Sequence, residues 1–379
     1  MDFQLTEEQR MFKDAAAEFA KEKLFPKAGE FEEKEELPAE LLKELAGLGY
    51  FGMLLPEEYG GSGMDCVSYA CTLEELSAGC AALGILLSVH NSLVCGAISG
   101  YGTEQQKKKY LPKLAKGEIV GAYSLTEPQA GTDAGNLKTT AISNGANYIV
   151  NGTKSFVSNG VLSNLVVLFC STDPNAKSKG ISTLLVEKGA PGFSIGPKEK
   201  KMGMRASDTT ELSFEDCKIS KENLLGVENE GFKIALSLLD NGRIGIAAQA
   251  LGIAQAAFNE ALKYSKERVQ FGQTISNFQA IQFKLADMAT QIEAARLLVY
   301  RAAWMKDKGM KLSKEASMAK LVASEVANFV VCEAVQIHGG YGYMKEYAVE
   351  RYFRDAQATE IHEGTPEAQR MVISRHLLE

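Results

Sequence analysis

Asn144-Gly145, Asn151-Gly152 and Asn159-Gly160 fall within seventeen residues, a density of turn signals found nowhere else in the chain. Asn-Gly accepts the positive φ values of a tight type I′ hairpin turn at little steric cost. Between and beyond these dipeptides lie short β-prone runs: Tyr148-Ile149-Val150, Leu165 to Cys170 and Ile181 to Val186. Turns this close together leave no room for a crossover helix. They predict an antiparallel sheet or small barrel, not a βαβ unit.

The sheet region, 121–228, interrupts two regions with a helical period. Upstream, in 1–120, Thr6-Glu7-Glu8-Gln9 reads as a capping box. Met11, Phe12, Ala15, Ala16 and Phe19 follow on one helical face, and Leu41, Leu42, Leu45 and Leu48 mark a second helix. Pro56 to Gly63 is a Gly-rich loop. Downstream, in 229–379, Ile281, Leu285, Met288, Ile292, Ala295 and Val299 step by 4, 3, 4, 3, 4, the seam of a bundle. Val322, Val326, Phe329 and Val330 suggest another packed helix. The chain is 379 residues long, too long for one comfortable core. Three domains are therefore expected: helices, then sheet, then helical bundle.

Composition excludes several functions. The net charge is -7 and no Lys/Arg-rich arm occurs, which argues against nucleic acid as a partner. The local exception, Lys198, Lys200, Lys201 and Arg205, is either a solvated loop or a small receiver of anions. Seven cysteines are scattered without CxxC pairs and the four histidines are dispersed, so neither a disulfide framework nor a metal site is expected. The start, Met1-Asp2-Phe3-Gln4-Leu5, lacks the cationic and apolar parts of a signal peptide. Leu76 to Thr103 carries no Asp, Glu, Lys or Arg and is long enough to cross a bilayer. Its Ser77, Ser88, His90, Asn91, Ser92 and Ser99 would be costly in hydrocarbon, so it reads as a helix buried in protein.

Five segments carry candidate chemistry. In Ile361-His362-Glu363-Gly364-Thr365-Pro366-Glu367, Thr365 suits an N-cap and Pro366 the first helical position. Glu363 and Gly364 then lie on the loop feeding a helix, where a carboxylate beside free backbone N–H groups makes a base next to an oxyanion donor. An ordinary loop acid is the plain alternative. Tyr123 to Asp133 is a strand running into a hydroxyl-rich turn, either a set of donors for a flat polar ligand or a surface turn. Arg268-Val269-Gln270-Phe271-Gly272 is either a phosphate grip or a helix end. Gln336-Ile337-His338-Gly339-Gly340-Tyr341-Gly342 lacks the strand that precedes a dinucleotide fingerprint and reads as a helix stop, with His338 structural. Asp240-Asn241-Gly242-Arg243 lies between two helical runs. There Arg243 either clamps an anion or pairs with Asp240 to fix a junction.

Together and in order, these segments resemble the acyl-CoA dehydrogenase family over essentially the whole chain. The most specific pieces are Thr126-Glu127-Pro128 with Gly131-Thr132-Asp133, Arg268 with Phe271-Gly272, Gln336-Ile337-His338-Gly339-Gly340, and Glu363-Gly364-Thr365. The resemblance implies a mainly α fold with a central β domain: an N-terminal helical domain, a small β-barrel or sheet domain and a C-terminal four-helix bundle. It implies FAD held partly across a subunit boundary in a homotetramer, a dimer of dimers. Tyr123, Leu125, Thr126, Gly131, Thr132, Phe156 and Ser158 would line the flavin. Arg268, Gln270, Phe271, Gln279, Gln336, Gly339 and Gly340 would reach FAD from the neighbouring subunit, and Thr365 and Glu367 would also touch it. Thr132, Asp240, Asn241, Gly242, Arg243 and Gly364 would face the acyl-CoA. Phe156 and Ser158 stand where the family often has Trp and Thr, and His362 where it often has Tyr.

The implied reaction is α,β-dehydrogenation of a short acyl-CoA such as butyryl-CoA to the trans-2-enoyl-CoA. Glu363 removes the α-proton and the β-hydrogen leaves as hydride to flavin N5. The Glu363 backbone N–H and a ribityl hydroxyl hold the thioester oxygen. Burial by substrate should raise the Glu363 pKa toward neutrality, because excluded water disfavours the anion. Electron-transfer flavoprotein is the implied acceptor, fatty-acid β-oxidation the implied setting, and the cytoplasm of a bacterium the implied compartment, or the mitochondrial matrix if a transit peptide is removed. Small branched or alicyclic acyl groups are the alternative substrates and an acyl-CoA oxidase the alternative redox enzyme. A flavin-free lyase or hydratase, or a helical binding scaffold, would be colourless.

Overall fold

In the computed structural model of the chain, which describes residues 4–379, Thr6 opens the first helix with both halves of a capping box. The reading of Met1 to Leu5 as leaderless lies largely outside the described residues. Helix α1 (Glu7–Phe19) buries Ala16 and Phe19, while Met11 of the predicted face is turned to solvent. After it come α2 (Ala28–Lys34), α3 (Ala39–Gly47), α4 (Cys66–Gly79), α5 (Ala81–Ser88), α6 (Gly96–Tyr101) and α7 (Glu104–Ala115). A π-helical turn, Val89–Cys95, joins α5 to α6.

That joined segment, Ala81–Tyr101, is the charge-free run, and 94% of its apolar window is buried in protein. Its polar side chains are largely satisfied there, as buried polar groups require. Asn91 accepts from the Met53 N–H and donates to the carbonyls of Tyr50 and Leu87. His90 accepts from the Gly121 N–H at Nδ1, which leaves Nε2 to donate to the Leu114 carbonyl.

Gly121 starts the sheet. Its strands are β1 (Gly121–Ser124), β2 (Thr140–Asn144), β3 (Asn147–Ser158), β4 (Leu165–Ser171), β5 (Ile181–Glu187), β6 (Phe193–Lys198), β7 (Thr209–Ser220) and β8 (Leu224–Leu225). They form one sheet in the order β6-β7-β3-β2-β4-β5-β8, with β1 beside β4. Most pairs are antiparallel as expected, but β1 and the first residue of β2 pair in parallel with β4, so the sheet is mixed. Strand β4 is buried on both faces. Leu165, Val167 and Phe169 join the main helical core, and Val166, Leu168 and Cys170 join the sheet's own core, the period-two alternation of a central strand.

Only one of the three Asn-Gly pairs makes a hairpin, and it is not type I′. Asn144 pairs with Asn147, so Gly145 and Ala146 form the turn, and Gly145 takes φ 59°. Glycine at the first central position marks type II′. Asn151-Gly152 lies within β3 at a register shift, where a Cβ on Gly152 would stand 2.6 Å from the Thr139 Cα. Asn159 takes the left-handed conformation at the end of β3, where its amide donates to the carbonyls of Leu86 and Gly121.

The helical period returns with α8 (Gly231–Glu267), a single helix of 37 residues. A small hairpin follows, β9 (Val269–Gln270) and β10 (Gln273–Thr274), then α9 (Gln279–Asp307), α10 (Ser313–His338), α11 (Val349–Ile361) and α12 (Pro366–Leu378). Helices α8, α9 and α10 pack on one another, and the shorter α11 and α12 close the remaining side against α10. Met288, Ile292, Ala295 and Val299 of the predicted seam are buried. Asp240 to Arg243 therefore does not lie at a junction between helical runs, since α8 passes through it without a break.

The basic cluster is tied to acidic and carbonyl partners of its own chain, while Lys198 and Lys200 stay exposed. Arg205 bonds to Glu35, and its backbone N–H donates to Glu32. Lys198 donates to the Glu35 carbonyl and Lys201 to that of Ser207. Arg354 on α11 also pairs with Glu32, and the Met204 N–H donates to buried Asp355. The cluster is a clamp joining α2, the sheet region and α11.

Candidate active site

Glu363 lies between α11 and α12, on the loop that Thr365 and Pro366 predict. Thr365 caps α12 by accepting from the Ala368 N–H, and Pro366 occupies its first position. Glu363 itself takes φ 55° and Gly364 φ 104°. Left-handed backbone is uncommon for a residue with a side chain, and it persists only where surroundings enforce it. Here it turns the Glu363 side chain inward. The residue is half-buried as a whole, but both carboxylate oxygens are shut from solvent and have no hydrogen-bond partner.

The carboxylate rests on α8 at Gly242. A Cβ on residue 242 would stand 2.0 Å from Glu363 Oε2 and 2.9 Å from a methyl of Leu93. Only glycine leaves room for it. Burial pushes the Glu363 carboxyl up to about 8, against the pull of Arg243 and Lys320 in the opposite direction. That value suits a general base working near neutral pH. Beside it, both His362 ring nitrogens are buried and unpartnered. Burial, with help from Lys320, pushes the imidazole down to about 3, so it is neutral.

Arg243 is 6% exposed. Its NH1 donates to Asp240 Oδ1 at 2.7 Å and to Ser317 Oγ at 3.2 Å, while Nε has no partner. Asp240 also accepts from Ser313. The Asp240–Arg243 pair thus ties α8 to α10, and Asn241 is half-buried between them. One turn along α8, Tyr69 OH and Ser88 Oγ crowd Gly245, and both hydroxyls are buried without partners.

A wall of sheet stands near this pocket. Tyr123 on β1 is half-buried, its ring 4.9 Å from Phe169, and its hydroxyl is raised first by burial and then by the charge of Glu363. The Ser155 N–H donates to the Thr126 carbonyl, which sets Thr126 beside Phe156 and Ser158. Phe156 takes φ 55° and is 71% exposed. Leu125 is buried and its carbonyl accepts from Lys154 Nζ. Gly131 and Thr132 are exposed on the turn that follows.

Glu127 holds this turn in place, a role its position in the motif did not reveal. It is buried, and its carboxylate accepts from Lys154 Nζ at 2.8 Å and from the N–H groups of Lys138 and Thr139. Burial alone would raise its pKa, but Lys154 and the backbone donors reverse this and hold it ionised.

The remaining predicted residues gather elsewhere. Arg268, Gln270, Gly339 and Gly340 line a surface cleft of about 580 Å³ with Tyr264, Ile337, His338 and Tyr341. The Arg268 guanidinium lies 5.5 Å from the Tyr341 ring centre and, among the described residues, has no carboxylate partner. Phe271 and Gly272, at φ 50° and 78°, form the type I′ tip of the β9–β10 hairpin, and Phe271 is 95% exposed. Gln279 and Gln336 are exposed nearby on α9 and α10, and Glu367 is exposed on α12. His338 is structural as expected, bonded to the Ala334 carbonyl and stacked on Tyr264. An unpaired guanidinium facing a cleft floored by glycine backbone fits a phosphate-bearing ligand. A hydroxyl-rich sheet edge with an outward aromatic ring fits a flat heterocycle.

The scaffold, helical then sheet then helical, buries one unpartnered carboxylate, that of Glu363, against a helix glycine. Models of the N-terminal, middle and C-terminal domains of acyl-CoA dehydrogenase match residues 6–118, 122–217 and 229–378. The chain belongs to the acyl-CoA dehydrogenase family, a family of FAD-dependent oxidoreductases. It is 51% identical to a short-chain specific acyl-CoA dehydrogenase of Clostridium acetobutylicum over 99% of both chains. Butyryl-CoA dehydrogenase from Megasphaera elsdenii is 49% identical over the whole of both chains, with a TM-score of 0.98. A chain solved in work on the electron transferring flavoprotein of Acidaminococcus fermentans is 53% identical over the same extent, also at TM-score 0.98.

Proposed function

We propose that the protein dehydrogenates a short-chain acyl-CoA to the trans-2-enoyl-CoA, with Glu363 as the base that removes the α-proton. The observation that carries this reading is the Glu363 carboxylate itself: buried, unpartnered, seated on Gly242 and with its pKa pushed up to about 8. A base with no internal partner has its lone pairs free for a substrate proton. Its raised pKa supplies the driving force for taking that proton from a carbon acidified by a thioester.

FAD, when bound, supplies the acceptor for the β-hydrogen and its electron pair. Tyr123, Leu125, Thr126, Gly131, Thr132, Phe156 and Ser158 would hold its flavin end, with Thr365 and Glu367 close by. The cleft at Arg268, Gln270, Gly339 and Gly340, with Phe271, Gln279 and Gln336 around it, would hold the phosphate-bearing part of a cofactor belonging to a neighbouring copy. The exposure of Phe271 supports that assignment, since a fully solvated Phe at a hairpin tip is poorly placed unless another molecule covers it. Thr132, Asp240, Asn241, Gly242, Arg243 and Gly364 would face the acyl-CoA. Excluding water from Glu363 keeps its proton affinity high and protects the reacting carbon from side reactions.

The short-chain assignment draws on the clostridial and Megasphaera relatives. Electron transfer flavoprotein as acceptor draws on the Acidaminococcus match. A homotetramer, a bacterial cytoplasmic setting and a division into 1–120, 121–228 and 229–379 complete the reading. The division is supported by the change from helix to strand at Gly121 and back at Gly231.

The test is Glu363→Gln. The purified variant should keep yellow, bound FAD, yet anaerobic butyryl-CoA should leave its visible band almost unbleached. Bleaching at the parental rate would remove Glu363 from the chemistry.

A further inference from the structure

Two lysines are fully buried among the described residues, Lys154 and Lys320. Lys154 has Glu127 as its counter-ion. Lys320, on α10, has no carboxylate within ion-pair distance. Its ammonium instead donates to two backbone carbonyls, that of Glu360 at 3.1 Å and that of Gly364 at 2.7 Å. These carbonyls bracket the three residues Ile361, His362 and Glu363. From α12, fully buried Gln369 donates its amide to the Gly364 carbonyl at 2.9 Å and to the Glu363 carbonyl at 3.2 Å.

The backbone of this loop is in a conformation it would not choose alone. Glu363 at φ 55° is in the left-handed region, and Gly364 follows at φ 104°. Relaxing Glu363 to negative φ would swing its side chain away from Gly242. Something must hold the peptide, and the carbonyls of Glu360, Glu363 and Gly364 are all gripped by the two buried side chains. An ammonium is the stronger of the two grips, because a charged donor binds a carbonyl more tightly than an amide does.

We infer that Lys320 is a positioning residue, which holds Glu363 in its left-handed conformation through the Glu360 and Gly364 carbonyls, with Gln369 as a second strut. This rests on the assignment of Glu363 as the base. Lys320 never meets the thioester in this role. Its charge has a second effect, since it favours the Glu363 anion against the burial that disfavours it. The other groups facing this pair are Arg243 from α8, Glu360 from α11, Glu367 from α12, and Tyr69 and Tyr123 from α4 and β1. His362 also lies beside the pair, and Glu360, His362 and Glu367 feel the Lys320 charge as Glu363 does, so the titration is read together with kcat.

The experiment compares Lys320→Met, Lys320→Gln and Gln369→Leu as purified holoenzymes, with Glu363→Gln alongside. Flavin content, kcat and KM for butyryl-CoA, and the pH profile of kcat/KM are read for each. In Lys320→Met, flavin content and KM should stay near parental while kcat falls on the order of 10²-fold, the scale set by an ångström of misplacement. Its acid limb should move to higher pH, because the carboxylate has lost a neighbouring cation. Lys320→Gln, which keeps one donor, should recover part of kcat but none of the limb shift. Parental kcat together with an unmoved limb in Lys320→Met overturns the inference. Should that variant lose its flavin or fail to fold, Gln369→Leu decides. A fall in kcat at constant KM supports the strut, and parental kcat overturns it. Full turnover in Glu363→Gln would instead sink the base assignment, whatever Lys320 does.

Discussion

Gly242→Ala separates the stability of this protein from its chemistry. The added methyl carbon would stand 2.0 Å from Glu363 Oε2 and 2.8 Å from the carboxyl carbon. An ordinary contact is about 3.5 Å, so the carboxylate must retreat by roughly 1.5 Å. Misplacement of a reacting group by about 1 Å costs on the order of 10²-fold in rate. That fold-change corresponds to about 3 kcal/mol in the barrier. Stability moves differently. Residue 242 lies in the interior of α8, where alanine is preferred over glycine by ~1 kcal/mol. The clash with Leu93 falls on the far end of a flexible side chain and offsets only part of that gain. The variant should melt close to the parent and retain flavin, yet reduce its flavin with butyryl-CoA at least about 10²-fold more slowly. Stopped-flow bleaching beside a thermal melt measures both. A variant that bleaches at the parental rate would refute the placement of Glu363 against α8.

Two further outcomes follow from charges in the fold. Glu363 holds its proton up to about 8 in the folded chain, against 4.5 for an ordinary carboxyl, so kcat/KM should fall as pH drops below that value. Its contribution to stability is complete below pH 4.5 and is lost as pH rises through the folded value, because the native state binds the extra proton in between. The parent should therefore lose melting temperature relative to Glu363→Gln between those limits, and parallel melting curves would contradict the raised pKa. Lys154→Met strands the Glu127 carboxylate in a buried turn, a change that costs about 3–5 kcal/mol when one partner of a buried pair is removed. A denaturant titration reads this, and an unchanged midpoint would show that Glu127 is satisfied by its backbone donors alone.

Local signals carried the start of α1, the bundle seam and the loop before α12, because capping and apolar spacing depend on neighbours in sequence. Thr6 and Thr365 cap as their residue types predict, and Met288 to Val299 bury as their spacing predicts. The Asn-Gly pairs were harder. Asn151-Gly152 sits within a strand where Thr139, the residue before β2, approaches its backbone, a contact that no dipeptide encodes. Asp240 to Arg243 looked like a break, since Asp, Asn and Gly are poor helix formers. Packing against α4, α10 and the Glu363 loop overrides that preference, and the glycine serves a side chain over a hundred residues away. Lys320 and Gln369 gave no signal, being a common lysine and a common glutamine until α10 and α12 bring them to the same carbonyl, that of Gly364. The partners of the basic run from Lys198 were hidden for the same reason, since they lie on and just after α2.

Helix α8 is also a ruler. Gly242, under the carboxylate, lies in the first half of this unbroken rod and Arg268, at the mouth of the cleft, just past its end; 26 residues at 1.5 Å each put them about 39 Å apart. An extended dinucleotide falls well short of that span. On the function proposed above, then, the carboxylate and the cleft of one polypeptide would serve two different cofactor molecules. Each copy would lend its cleft to someone else's reaction, and a lone chain would own half of two different sites and the whole of none.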